Sequence, residues 1–301
     1  MGAENSTPSD LQTSYPATSY DSRQLDIAIL AASQSIKHHI TYNDSLDDLR
    51  KALGDLERTD MDLLVAVHRA APAVVDALVD GERPHRKVFY IASKKLMIVT
   101  LPGKIHTIIN PWLIQFFGCH DRHIGLRGLM RIEKGTHVNS TYSTGEYLSG
   151  KGADIIVRSR SARAGPALII EILVSEEMPD LRLDARWWLE NVDGVRVVLL
   201  VGLDKCGRRI KLEKWTNITA DDSTQSGITK TAVCEQWMEL SWGQAESSSC
   251  NSFIVNPGSI DPLVIGSAAE LLNDTLLPSS LDYTISSTEL QEMVEHVNQC
   301  F

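Results

Sequence analysis

Two short apolar runs lie one turn apart, and each is marked by an acid. Asp154 heads Ile155-Ile156-Val157, and Glu171 interrupts Leu168-Ile169-Ile170-Glu171-Ile172-Leu173. Runs of this length, rich in Ile, Val and Leu and bounded by Ser159-Arg160-Ser161 and Ala164-Gly165-Pro166, predict two buried strands. The segment between them, residues 158–165, is a turn, so the strands are expected to be neighbours in one sheet. A carboxylate among apolar neighbours is costly unless it is paired, hydrogen-bonded or bound to a metal. Two of them on adjacent strands, with the backbone carbonyl of Ile172 beside them, offer three hard oxygen ligands, a set that suits Mg²⁺ or Mn²⁺. The plainer alternative makes Asp154 a turn residue and lets Glu171 reach solvent.

The rest of the chain constrains the setting. Its 301 residues, 43% of them hydrophobic, can bury a sizeable core as one large domain or two modest ones. With 39 acidic against 29 basic residues the formal net charge is -10, which opposes tight nonspecific adhesion to nucleic acid or to an anionic membrane. No stretch approaches the roughly eighteen apolar residues of a membrane-spanning helix. Residues 1–24, rich in Ser, Thr and Pro with no apolar run, predict a disordered tail rather than a secretory signal. The five cysteines are scattered and contain no CxxC, so a disulfide framework is not expected and the thiols are read as reduced. The expectation is an intracellular protein, cytoplasmic or nuclear, with no membrane partner. Met1-Gly2-Ala3-Glu4-Asn5-Ser6 fits the loose myristoylation pattern, but a single acyl chain anchors only marginally.

Apolar residues near three-and-four spacing over 25–84 predict a helical extension, in three helices with Ser45 and Thr59 as N-caps of the second and third. Lys87–Ile91 and Leu96–Leu101 predict a β-hairpin, and IHTIINPWLIQFFG a buried helix with Pro111 at a kink. After the Glu171 strand come a helix over DLRLDARWWLENV, stopped by Gly194, and a buried strand over Val195–Leu203. The order helix, strand, strand, strand, helix, strand describes an α/β layer around a central sheet. The division expected is a tail over 1–24, a helical extension over 25–84, a core over 85–220 and a C-terminal appendage over 221–301.

Within residues 86 to 215 the chain resembles the PD-(D/E)XK nuclease superfamily, most closely its bacterial restriction-endonuclease branch. The resemblance is carried by Pro102-Gly103 and His106 after the hairpin, by Gly152-Ala153-Asp154 where the family has Pro-Asp, and by Pro166 to Ser175 in place of a Pro-x-Leu-x-x-Glu-x-x-Ser strand. Gly194-Val195 and the strand ending at Asp204 complete it. It implies an α/β fold with a restriction-endonuclease-like mixed sheet flanked by helices, Asp154 and Glu171 as metal ligands, and Mg²⁺-dependent hydrolysis of a phosphodiester by metal-activated water. Nucleic acid, DNA ahead of RNA, is the partner this implies. Two departures stand out. The lysine usually found two residues past the glutamate is Leu173, and Arg186 on the next helix is the residue expected to replace it, stabilising charge because a guanidinium is never a base. His106 stands where many relatives carry a third acid, and there it can position water or bind phosphate. These departures also motivate an alternative, a catalytically inert nuclease-fold scaffold that binds another protein through its N-terminal helices.

Other groups carry less. Cys119-His120-Asp121-Arg122-His123 is compact, but a structural zinc site needs four ligands and no second Cys/His pair is near. Arg158, Arg160 and Arg163 lie in the turn between the acidic strands, either meeting phosphates or simply exposed. Trp187-Trp188 is read as core packing, and Glu176-Glu177 as a solvated face.

Overall fold

The computed structural model describes residues 36–57, 62–79, 86–123, 130–135, 137–139, 149–160, 165–174, 181–204, 208–220, 229–244, 251–272 and 282–299. The expected tail over 1–24, the myristoylation pattern, the first predicted helix as far as residue 35, Arg163 and Glu176-Glu177 lie outside them.

The N-terminal part is built from β1 (His38–Thr41), α1 (Leu46–Leu56), β2 (Leu63–His68), α2 (Pro72–Val79), β3 (Lys87–Ile91) and β4 (Leu96–Leu101). Ser45 caps α1 as expected, its hydroxyl accepting the Asp48 N–H at 3.2 Å. The expectation of a purely helical 25–84 is overturned at His38–Thr41, strand β1, and again at Leu63–His68. This apolar run is too short to show a helical or a strand period by itself, and pairing decides it: β2 lies parallel to β1 and antiparallel to β4. Pro72 opens the following helix. The β3–β4 hairpin forms as expected, and the short β6 (His137–Asn139) and β7 (Ser149–Gly152) extend it into a six-stranded sheet ordered β1-β2-β4-β3-β7-β6.

The second sheet follows the predicted order. After α3 (Lys104–His123), with Pro111 inside it, come β5 (Met130–Lys134), β8 (Ile155–Ser159), β9 (Leu168–Val174), α4 (Leu181–Asn191) and β10 (Val197–Asp204). The Asp154 and Glu171 strands are antiparallel neighbours, with Ile155 opposite Ile170, and β10 runs parallel to β9. Gly194, at φ +90°, ends the turn after α4. Two long strands, β11 (Arg209–Ala220) and β12 (Thr229–Gln244), and then β13 (Asn251–Val255) complete a seven-stranded mixed sheet, β13-β12-β11-β10-β9-β8-β5. The boundary expected near 220 therefore falls inside a sheet, because β12 pairs with β11 along twelve residues. The chain closes with β14 (Leu263–Ser267), α5 (Ala268–Leu272), β15 (Asp282–Ile285) and α6 (Ser287–Gln299).

Strand alternation sorts these elements into layers. On β9, Leu168, Ile170, Ile172 and Val174 face a core shared with Ile105, Ile109 and Phe117 of α3 and Met293 and Val294 of α6. Ile169 and Leu173 face the other way, into a core shared with Trp187 and Trp188 of α4 and with Phe89 and Ile91 of β3. A third core lies under α1 and α2 on the far side of the six-stranded sheet. The two sheets thus enclose one apolar layer, and Glu171, between Ile169 and Leu173, has the parity that points into it.

Candidate functional site

Four charged side chains enter that layer from both sheets. Glu171 comes from β9 of the seven-stranded sheet, and Asp154 from the residue just before β8 of the same sheet. Lys87, on the face of β3 that carries Phe89, and Lys151 of β7 come from the six-stranded sheet. All are buried: Glu171 is 0% exposed, Asp154 3%, Lys151 5% and Lys87 8%. The Lys87 ammonium donates to Asp154 Oδ2 at 2.7 Å and to Glu171 Oε2 at 2.9 Å, and lies 3.4 Å from the Ile172 carbonyl oxygen. These are the three oxygens expected to hold a metal. They converge on one point, and a cation of this chain sits at it.

Other donors reach the same carboxylates. Asp154 Oδ2 accepts the Ile172 N–H at 2.6 Å, and Oδ1 faces His106 Nε2 at 3.0 Å. Glu171 Oε1 accepts the Trp188 indole N–H at 2.5 Å. Lys151 lies 3.7 Å from Glu171 and 2.9 Å from Asp184, with its ammonium 5.5 Å from the centre of the Phe89 ring. His106, 3% exposed in the first turn of α3, reaches Asp62 Oδ2 through Nδ1 at 2.9 Å. Asp62 also accepts N–H groups from Gly103 at 2.8 Å and Val174 at 2.9 Å.

Burial disfavours every charge here, so the partners decide each protonation state. Burial pulls the Lys87 ammonium toward neutrality, but the carboxylates of Asp154 and then Glu171 outweigh it and hold Lys87 charged well beyond its ordinary range. Burial likewise opposes ionised Asp154, and Lys87 and His106 overcome it, so Asp154 is a stronger acid than usual. Glu171 is the weaker acid of the pair: burial, with Asp154 and Asp184 nearby, pushes it up against the pull of Lys87 and Lys151. His106 is pushed up to about 9, with Asp154 and Asp62 outweighing its desolvation.

Of the residues expected at the site, Asp154, Glu171, Ile172 and His106 are brought together. Arg186 is engaged elsewhere, 3.6 Å from Glu190 one turn along α4, and the cations that reach the carboxylates are Lys87 and Lys151. Arg158 pairs with Glu133 at 2.7 Å, and Arg160 is exposed. Both tryptophans are buried as expected, but Trp188 also touches the site. Sequence reasoning missed Lys87, Lys151 and Asp62. For Lys87 a signal existed, a lysine sharing strand parity with Phe89 and Ile91 in a run that is buried throughout.

The donor set suits a small hard cation, since two carboxylate oxygens and a carbonyl already surround an ammonium. Among the described residues no group of three or more His, Cys, Asp and Glu side chains is placed to hold a metal ion. No helix among the described residues is long and apolar enough to cross a membrane. Compared with protein-family models, with curated proteins and with solved structures, the chain matches none.

Proposed function

We propose that the chain is a metal-dependent phosphodiesterase of the PD-(D/E)XK type, acting on nucleic acid and on DNA ahead of RNA, with Lys87 in the role of the lysine absent at position 173. The observation that carries this reading is the convergence of Lys87 on Asp154, Glu171 and the Ile172 carbonyl. Apolar residues of similar volume in place of a buried ion pair often leave a fold as stable or more so, so stability alone does not call for these charges. Perturbed acids gathered with a lysine at one point are the pattern of a working site. The order α3, β5, β8, β9, α4, β10, with the acids on β9 and at the head of β8, supports a restriction-endonuclease-like core.

Asp154, Glu171 and the Ile172 carbonyl would hold Mg²⁺ or Mn²⁺, which when bound supplies an acidified water and Lewis-acid polarisation of the phosphate. In the metal-free protein the carboxylates hold Lys87 protonated, and beside a bound phosphate its ammonium would contribute positive charge toward a phosphate oxygen. Arg186, held by Glu190, cedes to Lys87 the role first expected of it.

A second reading, the inert scaffold, is favoured by the burial of Glu171 and Lys87 and by the ammonium standing where the ion would stand. The two readings part in one experiment. Mn²⁺ binding by calorimetry and cleavage of single- and double-stranded DNA and RNA are measured for wild type, Asp154→Asn and Lys87→Ala. Metal uptake by wild type with cleavage lost in both variants supports the nuclease. No uptake and no cleavage at millimolar Mg²⁺ or Mn²⁺ leaves the scaffold.

A further inference from the structure

We propose that Asp62 and His106 form a positioning pair that fixes which oxygen of Asp154 is offered to the cation. The inference deepens the reading above and rests on it where Asp154 is taken as a metal ligand. Asp62 has no exposed side-chain surface and is held from three sides. Oδ1 accepts the Gly103 N–H at the head of α3, and Oδ2 accepts the Val174 N–H at the end of β9 together with His106 Nδ1. Its own backbone N–H donates to the Val174 carbonyl at 3.0 Å. A carboxylate tied to two backbone segments is a fixed acceptor, so it sets the plane and the flip state of the imidazole it holds.

The other end of that ring meets Asp154 Oδ1 at 3.0 Å. Ionised carboxylate oxygens only accept, so a ring nitrogen facing one must carry hydrogen, and His106 faces a carboxylate on each side. Asp154 Oδ1 is thereby committed to His106, while Oδ2, steadied by the Ile172 N–H, is the oxygen that meets the Lys87 ammonium. Asp62 acts through His106, and outer partners of this kind tune a metal site without touching the ion.

The test begins with wild type and needs no variant: ¹⁵N spectra of the metal-free protein at neutral pH. The pair predicts N–H signals from both nitrogens of His106, and a ring with one bare nitrogen overturns it. Asp62→Asn then offers an amide N–H₂ or a single acceptor where two were needed, so one His106 N–H and the wild-type ¹³C shift of the Asp154 carboxylate should be lost. Mn²⁺ affinity is measured for wild type, Asp62→Asn, His106→Gln and the double variant. Each single change is expected to weaken binding by about 10–100-fold, and the double change by no more than one of them, because the two residues act as one unit. Additive losses, or a lowered melting temperature with Mn²⁺ affinity intact, would make Asp62 a structural tie only and overturn the proposal. Wild type that takes up no Mn²⁺ sinks the metal reading alone, since the ring and carboxylate signals still decide the pair.

Discussion

Lys87 Nζ, on β3 of the six-stranded sheet, lies 2.7 Å from Oδ2 of Asp154, the residue that leads into β8 of the seven-stranded one. The six-stranded sheet therefore supplies the cation that neutralises the acids of the seven-stranded one. Lys87→Met removes that cation and leaves two buried carboxylates facing each other. Breaking a buried ion pair costs roughly 3–5 kcal/mol, so the variant should melt well below wild type without metal and recover more of its stability than wild type gains when Mn²⁺ is added. Thermal unfolding with and without millimolar Mn²⁺ checks this. Equal shifts in both proteins would mean that ammonium and ion do not share a position.

If the lysine has moved from 173 to 87, moving it back should restore function in part. Leu173 is 7% exposed and lies on the face of β9 that carries Glu171. A charge stabiliser lost from an active site costs on the order of a hundredfold. Adding Leu173→Lys to Lys87→Met should return about tenfold or more of that loss in a cleavage assay. A double variant no more active than Lys87→Met alone would separate Lys87 from the lysine role.

Because Lys87 stands between them, Asp154 and Glu171 are not left repelling each other when no metal is bound. Asp154→Asn should therefore destabilise the metal-free protein, by about 1–3 kcal/mol, since Lys87, His106 and the Ile172 N–H lose a charged acceptor. Denaturant unfolding measures the difference. A variant as stable as wild type would point to net repulsion at the site.

The pH dependence has two limbs. His106 is raised from about 6.5 to about 9, so its contact with Asp62 and Asp154 contributes fully below about 6.5 and is lost as pH rises through 9. The ceiling on that contribution is about 3 kcal/mol. Asp154 is depressed, so its contribution is present above the ordinary carboxylate range and is lost only as pH falls well below it. Stability of wild type should decline between pH 6.5 and 9.5, and His106→Gln should flatten that limb. An unchanged slope in the variant would remove His106 as its source.

A packing prediction is independent of the site. A Cβ on Gly165 would stand 2.5 Å from the Asp193 carbonyl oxygen, beside Gly194 at φ +90°. Gly165→Ala should cost roughly 1–3 kcal/mol by overpacking this close approach of the two turns, seen as a lower melting temperature with Mn²⁺ affinity retained.

The acids were legible in the sequence because a carboxylate inside Ile169–Leu173 has few ways to exist. Their strands, the helices on either side and the stop at Gly194 followed from period and turn chemistry. Lys87 and Asp62 were not legible for a different reason. Each meets the site across a long stretch of chain, and Asp62 precedes Leu63–His68, whose strand character comes from β1 and β4 and not from its own residues. Arg186, the replacement expected, lies 3.6 Å from Glu190 one turn away on the same helix, a local pairing that the four-residue spacing already offers.

The burial of β9 on both faces makes Glu171 a registration mark. Moving this strand by one residue against its neighbours would exchange its two faces. Glu171 would then enter the layer of Ile105, Ile109 and Phe117, away from Lys87, Lys151 and the Trp188 indole. An unpaired carboxylate in that layer is far costlier than a misplaced leucine. The ionic cluster thus penalises one-residue slips that an all-apolar β9 would tolerate.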